Sequence, residues 1–213
     1  MYNKLMNKSK PFLVGYKLFF ALLGFSALLT EVVVLLERNT FNPANFFSFF
    51  TIESNMIAVI ALLASALYVA AGKHAKVDAL RAAATVYIVT VGLGFSILLA
   101  GIEGVEFTAV PWDNIVLHYL MPIALLVDFL IDPPKRKLPF KRALVWLLFP
   151  IAYLVYSLIR GAITGWYPYP FLNPSIDGLT PVAIGVSGIV IIALAITWIV
   201  TLISGNKRAK RTN

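Results

Sequence analysis

The chain has 213 residues, 60% of them hydrophobic and only 13% charged, with a mean hydropathy of +0.84 and a net charge of +8. An ordinary soluble domain is about half apolar and a quarter charged, so this composition predicts an integral membrane protein, a single membrane domain over 1–213 with no room for a soluble partner domain. The absence of cysteine excludes disulfides, thiolate metal sites and a cysteine nucleophile.

A bilayer crossing needs about 20 mostly apolar residues. Six runs qualify: 12–36, 45–72, 79–101, 114–132, 142–162 and 180–204. The first is too long for a signal-peptide core, and no small-x-small cleavage pattern follows it, so it reads as a retained span. The predicted fold is an all-α bundle of six transmembrane helices. Basic residues alternate between the loops. Lys4, Lys8 and Lys10 precede the first run; Lys73, Lys76 and Arg81 follow the second; Lys135, Arg136, Lys137, Lys141 and Arg142 follow the fourth; Lys207, Arg208, Lys210 and Arg211 follow the sixth. The third loop, GIEGVEFTAVPWD, carries Glu103, Glu106 and Asp113, and the fifth, TGWYPYPFLNPSIDGLT, carries only Asp177. The positive-inside rule then puts both termini in the cytoplasm, and the expected location is a cell's inner (plasma) membrane. An even number of spans agrees. The basic residues flank apolar segments, so the positive charge reads as membrane topology and not as a nucleic-acid surface. The aromatic WYPYP stretch suits an interfacial belt or a lid on the outer face.

Ionisable residues within a span are costly and point to function or to a buried partner. The first run holds Glu31 near its outer end. The second, beginning NFFSFFTIESNM, holds Thr51, Glu53 and Asn55. Counted from Asn45, Thr51 lies roughly 9 Å deep. The fourth holds His118, roughly 7 Å from its outer end. Arg160 in the fifth and Ser187 in the sixth fall in the same layer. Five runs thus contribute polar residues to one outer-leaflet shell. Asp128 lies near the opposite end, where a basic partner at the inner interface is expected. Glu53 is about 200° around the helix from Thr51 and faces a different neighbour. Asn55 shares the face of Thr51. Pro122 removes the helical partner of the His118 carbonyl, which predicts a distortion there, and under-bonded backbone in a membrane belongs where protein covers it or a cavity opens.

Each residue also has a structural reading. A membrane threonine commonly bonds its own backbone, a membrane histidine can join helices, and Glu31 and Arg160 can form an ion pair. The chemical reading joins them. A hydroxyl nucleophile needs a neighbouring base, usually histidine. Thr51 and His118 at matched depth form such a dyad, with Asn55 as a candidate oxyanion donor and Arg160 and Glu31 as candidate contacts for a substrate head group. Competing chemistries lack residues. A membrane b-type haem needs paired axial histidines, whereas the spans hold one and His74 falls in a loop. No H-E-x-x-H zinc motif occurs. No metal or other cofactor is expected. GVSG at 185–188 matches the G-x-S-G of rhomboid proteases, which would pair Ser187 with His118, although in rhomboids the histidine follows the serine.

Three stretches carry a further resemblance: FFSFFTIESN in the second run, HYLMPIALLVDFLI in the fourth and WYPYPFLNP in the fifth loop. Together and in this order they resemble the bacterial relatives of the androgen-induced and androgen-dependent membrane proteins. The resemblance implies a multi-spanning helical fold. It also implies an atypical hydrolase that cleaves fatty acid esters of hydroxy fatty acids with a threonine and a histidine, which map by motif position to Thr51 and His118. The expected function is therefore an intramembrane lipid ester hydrolase that passes through an acyl-threonine. Its partners would be the bilayer and a membrane lipid or fatty acid ester. Two alternatives stand beside it: a non-enzymatic lipid-binding or transport protein with Arg160 anchoring a carboxylate, and a rhomboid-like serine protease.

Overall fold

The computed structural model describes residues 2–73, 77–103 and 105–204. His74 and Lys76 of the second loop, and Lys207, Arg208, Lys210 and Arg211 of the tail, lie outside them. The fold is 79% helix, with no strand among the described residues. Six helices are long and apolar enough to cross a membrane: α1 (Lys10–Glu37, continuing back to Tyr2), α2 (Phe50–Ala70), α3 (Asp78–Leu98), α4 (Pro111–Ile131), α5 (Phe140–Thr164) and α6 (Leu179–Ile203). Large apolar side chains point outward on all six, among them Leu22, Leu67, Ile97, Ile123, Ile163 and Ile191. An apolar exterior of this extent fits a lipid surround, since water-soluble monomers keep such patches small.

One boundary differs from the sequence expectation, and it matters. The second apolar run was expected to be helical from residue 45. Instead Pro43–Phe46 forms a separate short helix, and α2 starts at Phe50. Asn42 caps the short helix through Asn45 N–H (3.1 Å), with Pro43 at its first position, the usual start signal. The chain then straightens at Phe49 (φ −87°, ψ 122°). The break leaves the Ser48 carbonyl without a helical donor, and the Tyr153 hydroxyl of α5 donates to it at 2.9 Å. Thr51 therefore sits at the second position of α2, not six residues into a helix.

The expected distortion near Pro122 takes the form of a π turn. Residues Val116–Leu120 are π-helical, closed by Met121 N–H to the Val116 carbonyl. The proline ring cannot supply the N–H that an α-helix would give to His118 O, so the ladder slips by one residue. α3 packs against this widened turn through Gly92. A Cβ there would lie 2.9 Å from the Pro122 ring and 3.1 Å from the His118 carbonyl oxygen, so the close approach requires glycine. Small residues run along much of α3 (Ala82, Ala83, Ala84, Gly92, Gly94), and α2, α4 and α6 all pack on it, as expected where helices associate by close contact.

At the end of the bundle opposite Thr51, five charged side chains are buried together. Asp128 of α4 accepts from the Lys17 ammonium of α1 and from Arg81 Nε and Nη2 of α3 (3.0 and 2.7 Å). Asp132 lies 3.2 Å from Lys17 and 3.4 Å from Arg81. Asp78 is 3.5 Å from Arg81 and accepts the Lys135 N–H at 2.8 Å. The expected basic partner of Asp128 is thus found twice over. Three carboxylates face two buried cations, and the partly exposed Lys135 brings the third positive charge, 3.2 Å from Asp132. Burial acts to raise the Asp132 pKa, but Arg81, Lys17 and Lys135 together hold it below its ordinary value. Arg81 was counted among the loop charges that set topology; it is instead a buried residue of α3.

Candidate functional site

The α2 start, the π turn of α4 and the loop after α5 converge on Thr51. The hydroxyl of Thr51 lies 3.2 Å from His118 Nε2. On the far side of the ring, His118 Nδ1 is 3.3 Å from the Asn114 carbonyl. A carbonyl only accepts, so Nδ1 carries the hydrogen and Nε2 presents its lone pair to the threonine. The hydroxyl then donates to the imidazole, which is the arrangement a general base requires. Phe95 of α3 stacks on the imidazole face, with ring centroids 3.9 Å apart and planes 23° from parallel. His118 is 3% exposed and Thr51 8%, so both are shielded from bulk solvent.

The loop Gly165–Gly178 folds back over this point, and its aromatic residues dock on different partners. Trp166 lies under the Arg160 guanidinium, 4.5 Å from ring centre to Cζ. Tyr167 covers Gly161, where a Cβ would come within 2.1 Å of its ring, so a side chain there would push the loop off α5. Phe171 rests on Gly185 of α6 and stacks on Tyr169, with centroids 5.4 Å apart. Tyr169 reaches the centre. Its hydroxyl accepts the Thr51 backbone N–H at 3.1 Å and lies 3.3 Å from Thr51 Oγ1. That N–H belongs to the first turn of α2, which has no helical acceptor for it. Burial pushes the Tyr169 phenol above its ordinary pKa, against the pull of its bonds to Thr51, so it is a protonated donor at neutral pH.

Beneath the loop lies a cavity of about 320 Å³, within the size range of small-molecule sites. Thr51, Phe95 and Tyr169 stand on its wall. The rest is almost wholly apolar, from Val86 and Val91 of α3, Ile151 and Leu154 of α5, and Val186 and Leu194 of α6. Among the described residues, no charged one lines it. Its walls come from α2, α3, α5, α6 and the loop, with Thr51 contributed by α2.

Two expected roles need correction. Asn55 shares the face of Thr51 as expected, but both hydrogens of its amide are taken, by the carbonyls of Thr51 (2.9 Å) and Leu117 (3.2 Å). None remains for an oxyanion. Asn55 instead ties α2 to the residue preceding His118. Glu31 and Arg160 do not pair. Glu31 accepts the Ala109 N–H at 2.7 Å beside the Asp113 carboxyl, while Arg160 donates to Asn45 at 2.6 Å. Equal depth put both in one layer, yet they stand at different angular positions around the bundle. Arg160 therefore helps fix the short helix and the loop, and it is absent from the cavity wall. Ser187 is exposed on α6, and both imidazole nitrogens of His118 are engaged elsewhere.

Two residues at the site escaped the sequence reading. The aromatic WYPYP stretch reads as a belt or a lid, without a separate role for Tyr169, and Phe95 reads as one more apolar residue. A tyrosine between two prolines, Pro168 and Pro170, is the available signal for the first; nothing marks the second. Among the described residues no group of three or more His, Cys, Asp or Glu side chains is placed to hold a metal ion. In comparison with known proteins, no family model, curated protein or solved structure matches the chain.

Proposed function

We propose that the protein is a multi-pass membrane hydrolase of lipid esters, with Thr51 as nucleophile and His118 as general base. One observation carries this reading: Thr51, whose hydroxyl lies 3.2 Å from a histidine nitrogen with its tautomer fixed by Asn114, stands on the wall of an apolar cavity. A structural threonine would bond its own helix backbone; this one bonds a side chain on another helix. The resemblance of the three motif stretches to threonine hydrolases supports the same assignment.

In the proposed reaction an acyl chain lies in the cavity and its ester carbonyl faces Thr51. As Thr51 Oγ1 bonds to the carbonyl carbon, its proton passes to His118 Nε2 and the carbonyl π pair moves to oxygen. Collapse breaks the bond to the leaving oxygen, which takes the proton from His118. Water repeats the sequence on the acyl-threonine and frees the fatty acid. Gain of the proton at Nε2 makes the imidazole cationic for part of each half-reaction, and the Asn114 carbonyl stabilises that state through Nδ1–H. The apolar, uncharged lining suits a fatty acyl chain and disfavours a charged group in the cavity.

A fluorophosphonate probe applied to the purified protein in detergent tests the assignment. The expected product is a phosphonyl adduct on Thr51, read by peptide mapping, absent from Thr51→Ala and strongly reduced in His118→Ala. An adduct on Ser187 would move the assignment to a serine protease, and no adduct at all would favour a lipid-binding protein. The proposal places the Thr51 end of the bundle at the outer face of an inner (plasma) membrane, with both termini cytoplasmic. Single cysteines at Lys137 and Asn173 report on this. In intact cells a membrane-impermeant thiol reagent is expected to label position 173 and not 137; the reverse pattern inverts the topology.

A further inference from the structure

We infer that Tyr169 is a third catalytic residue, the hydrogen-bond donor that stabilises the oxyanion formed when Thr51 attacks an ester. The inference rests on the proposed hydrolase reading and supplies the element that reading lacks, since Asn55 has no hydrogen left to give.

The geometry of the hydroxyl is what assigns the role. Tyr169 Oη accepts from Thr51 N–H and lies 3.3 Å from Thr51 Oγ1. The hydrogen of Thr51 Oγ1 is directed to His118 Nε2, so the hydroxyl hydrogen left to orient is that of Tyr169, and it points at Oγ1. Tyr169 O–H, Thr51 O–H, His118 and the Asn114 carbonyl thus form one chain with every hydrogen running in the same direction. Once Oγ1 is bonded to the tetrahedral carbon it is a poorer acceptor. The Tyr169 hydrogen then finds its best acceptor in the former carbonyl oxygen, which carries the negative charge two bonds away. Donors aimed at the place where charge develops are what an oxyanion site needs.

A second donor stands beside it. The Thr51 N–H has no helical acceptor, and an oxygen atom, that of Tyr169, already sits 3.1 Å from it. A substrate carbonyl oxygen that displaced this hydroxyl slightly would receive both hydrogens, one from the backbone of the nucleophile and one from the phenol. Both donors stand on held groups. Thr51 N–H is fixed by the helix, and the Tyr169 ring stacks on Phe171 (5.4 Å, planes 5° apart) and makes a T-shaped contact with Phe49 (5.8 Å). Burial of the hydroxyl among apolar walls removes competing water, which strengthens the bond to a developing anion.

Tyr169→Phe keeps the ring and both aromatic contacts and removes only the oxygen. Steady-state hydrolysis of a p-nitrophenyl fatty acyl ester is expected to show kcat lower by about 10²–10³-fold, the loss seen when one oxyanion donor is deleted, with KM within about threefold of the wild type. A latch that merely holds the loop would raise KM and spare kcat. Affinity for a long-chain trifluoromethyl ketone, which adds Thr51 Oγ1 to give a tetrahedral adduct, is expected to fall in parallel with kcat/KM. As a second variant, fluorotyrosines of graded acidity at position 169 are expected to change kcat monotonically with phenol acidity, which a packing role would not do. If wild type is active, Thr51→Ala is dead and Tyr169→Phe retains full kcat, the inference is overturned while the dyad stands. If wild type neither hydrolyses the ester nor forms an adduct at Thr51, the hydrolase reading itself fails.

Discussion

Thr51→Ala and His118→Ala are each expected to abolish hydrolysis of a long-chain fatty acyl ester, and the double variant to be hardly worse than either single one. Loss of a positioned base costs about 10²–10⁴-fold in rate, and loss of the nucleophile at least as much. The two effects do not multiply, because the base has only one proton to take and the hydroxyl has only one base within reach. Residues that act as one unit are strongly non-additive. The structure gives the reason in distances: Thr51 Oγ1 is 3.2 Å from Nε2, and the other imidazole nitrogen is occupied by Asn114. Ser187→Ala provides the contrast. It lies exposed on α6 and is expected to leave most of the activity. Kinetics of the wild type and the four variants, normalised to folded protein by gel filtration in detergent, decide the matter. If the single losses multiply in the double variant, the two residues act separately. Full activity in Thr51→Ala alone would place the nucleophile elsewhere.

The six spans were legible because a bilayer demands long apolar runs, and composition leaves little room for any other arrangement. Thr51 and His118 were legible for a related reason: polar groups in such runs are rare enough to be examined one at a time. Less legible was the angle at which each helix faces its neighbours. Depth follows from counting residues, and rotation does not. Glu31 and Arg160 share a layer and bind different partners, Ala109 and Asn45. Asn55 obeyed the i+4 rule relative to Thr51, but its amide turned to the Thr51 and Leu117 carbonyls and not to the cavity. Asn42-Pro43 marks the start of the short helix, but nothing marks the break at Phe49, and the apolar run from residue 45 continues straight through it. Hydropathy cannot see a change of direction between apolar residues. That break is what puts the Thr51 N–H in a first helical turn, where Tyr169 can meet it.

Lys17 illustrates a different kind of miss. A lysine inside an apolar run carries the same signal as His118, and it lies 0% exposed beside Asp128. Its importance came from partners distant in sequence, Asp128 and Asp132 on α4 and the turn that follows it. With Arg81 they join α1, α3 and α4 at one end of the bundle, as Thr51, His118 and Asn55 join α2 and α4 at the other. Of the two helices that carry Thr51 and His118, α4 is therefore tied by polar contacts at both ends, which favours keeping a hydrogen bond of about 3 Å in place.

Removal of Asp128 is the change expected to damage the fold most. Asp128→Ala strips the Lys17 ammonium of its nearest carboxylate and Arg81 of two hydrogen bonds, leaving two buried cations against Asp78 and Asp132. Breaking a buried ion pair from one side costs about 3–5 kcal/mol, because the partner charge stays buried without compensation. Lys135→Ala removes a charge from the same cluster, but its side chain is 40% exposed, so water replaces the lost contact and the cost is about 0–1 kcal/mol. Thermal unfolding in one detergent is expected to show a large drop in Tm for Asp128→Ala and a small one for Lys135→Ala. The double change Lys17→Met with Asp128→Asn is expected to recover part of the loss. It removes one cation along with one anion and returns the cluster to near balance, with Arg81 retained against Asp132 and Asp78. Equal drops for Asp128→Ala and Lys135→Ala would mean that water reaches the cluster, and that α1, α3 and α4 are held together without a contribution from it.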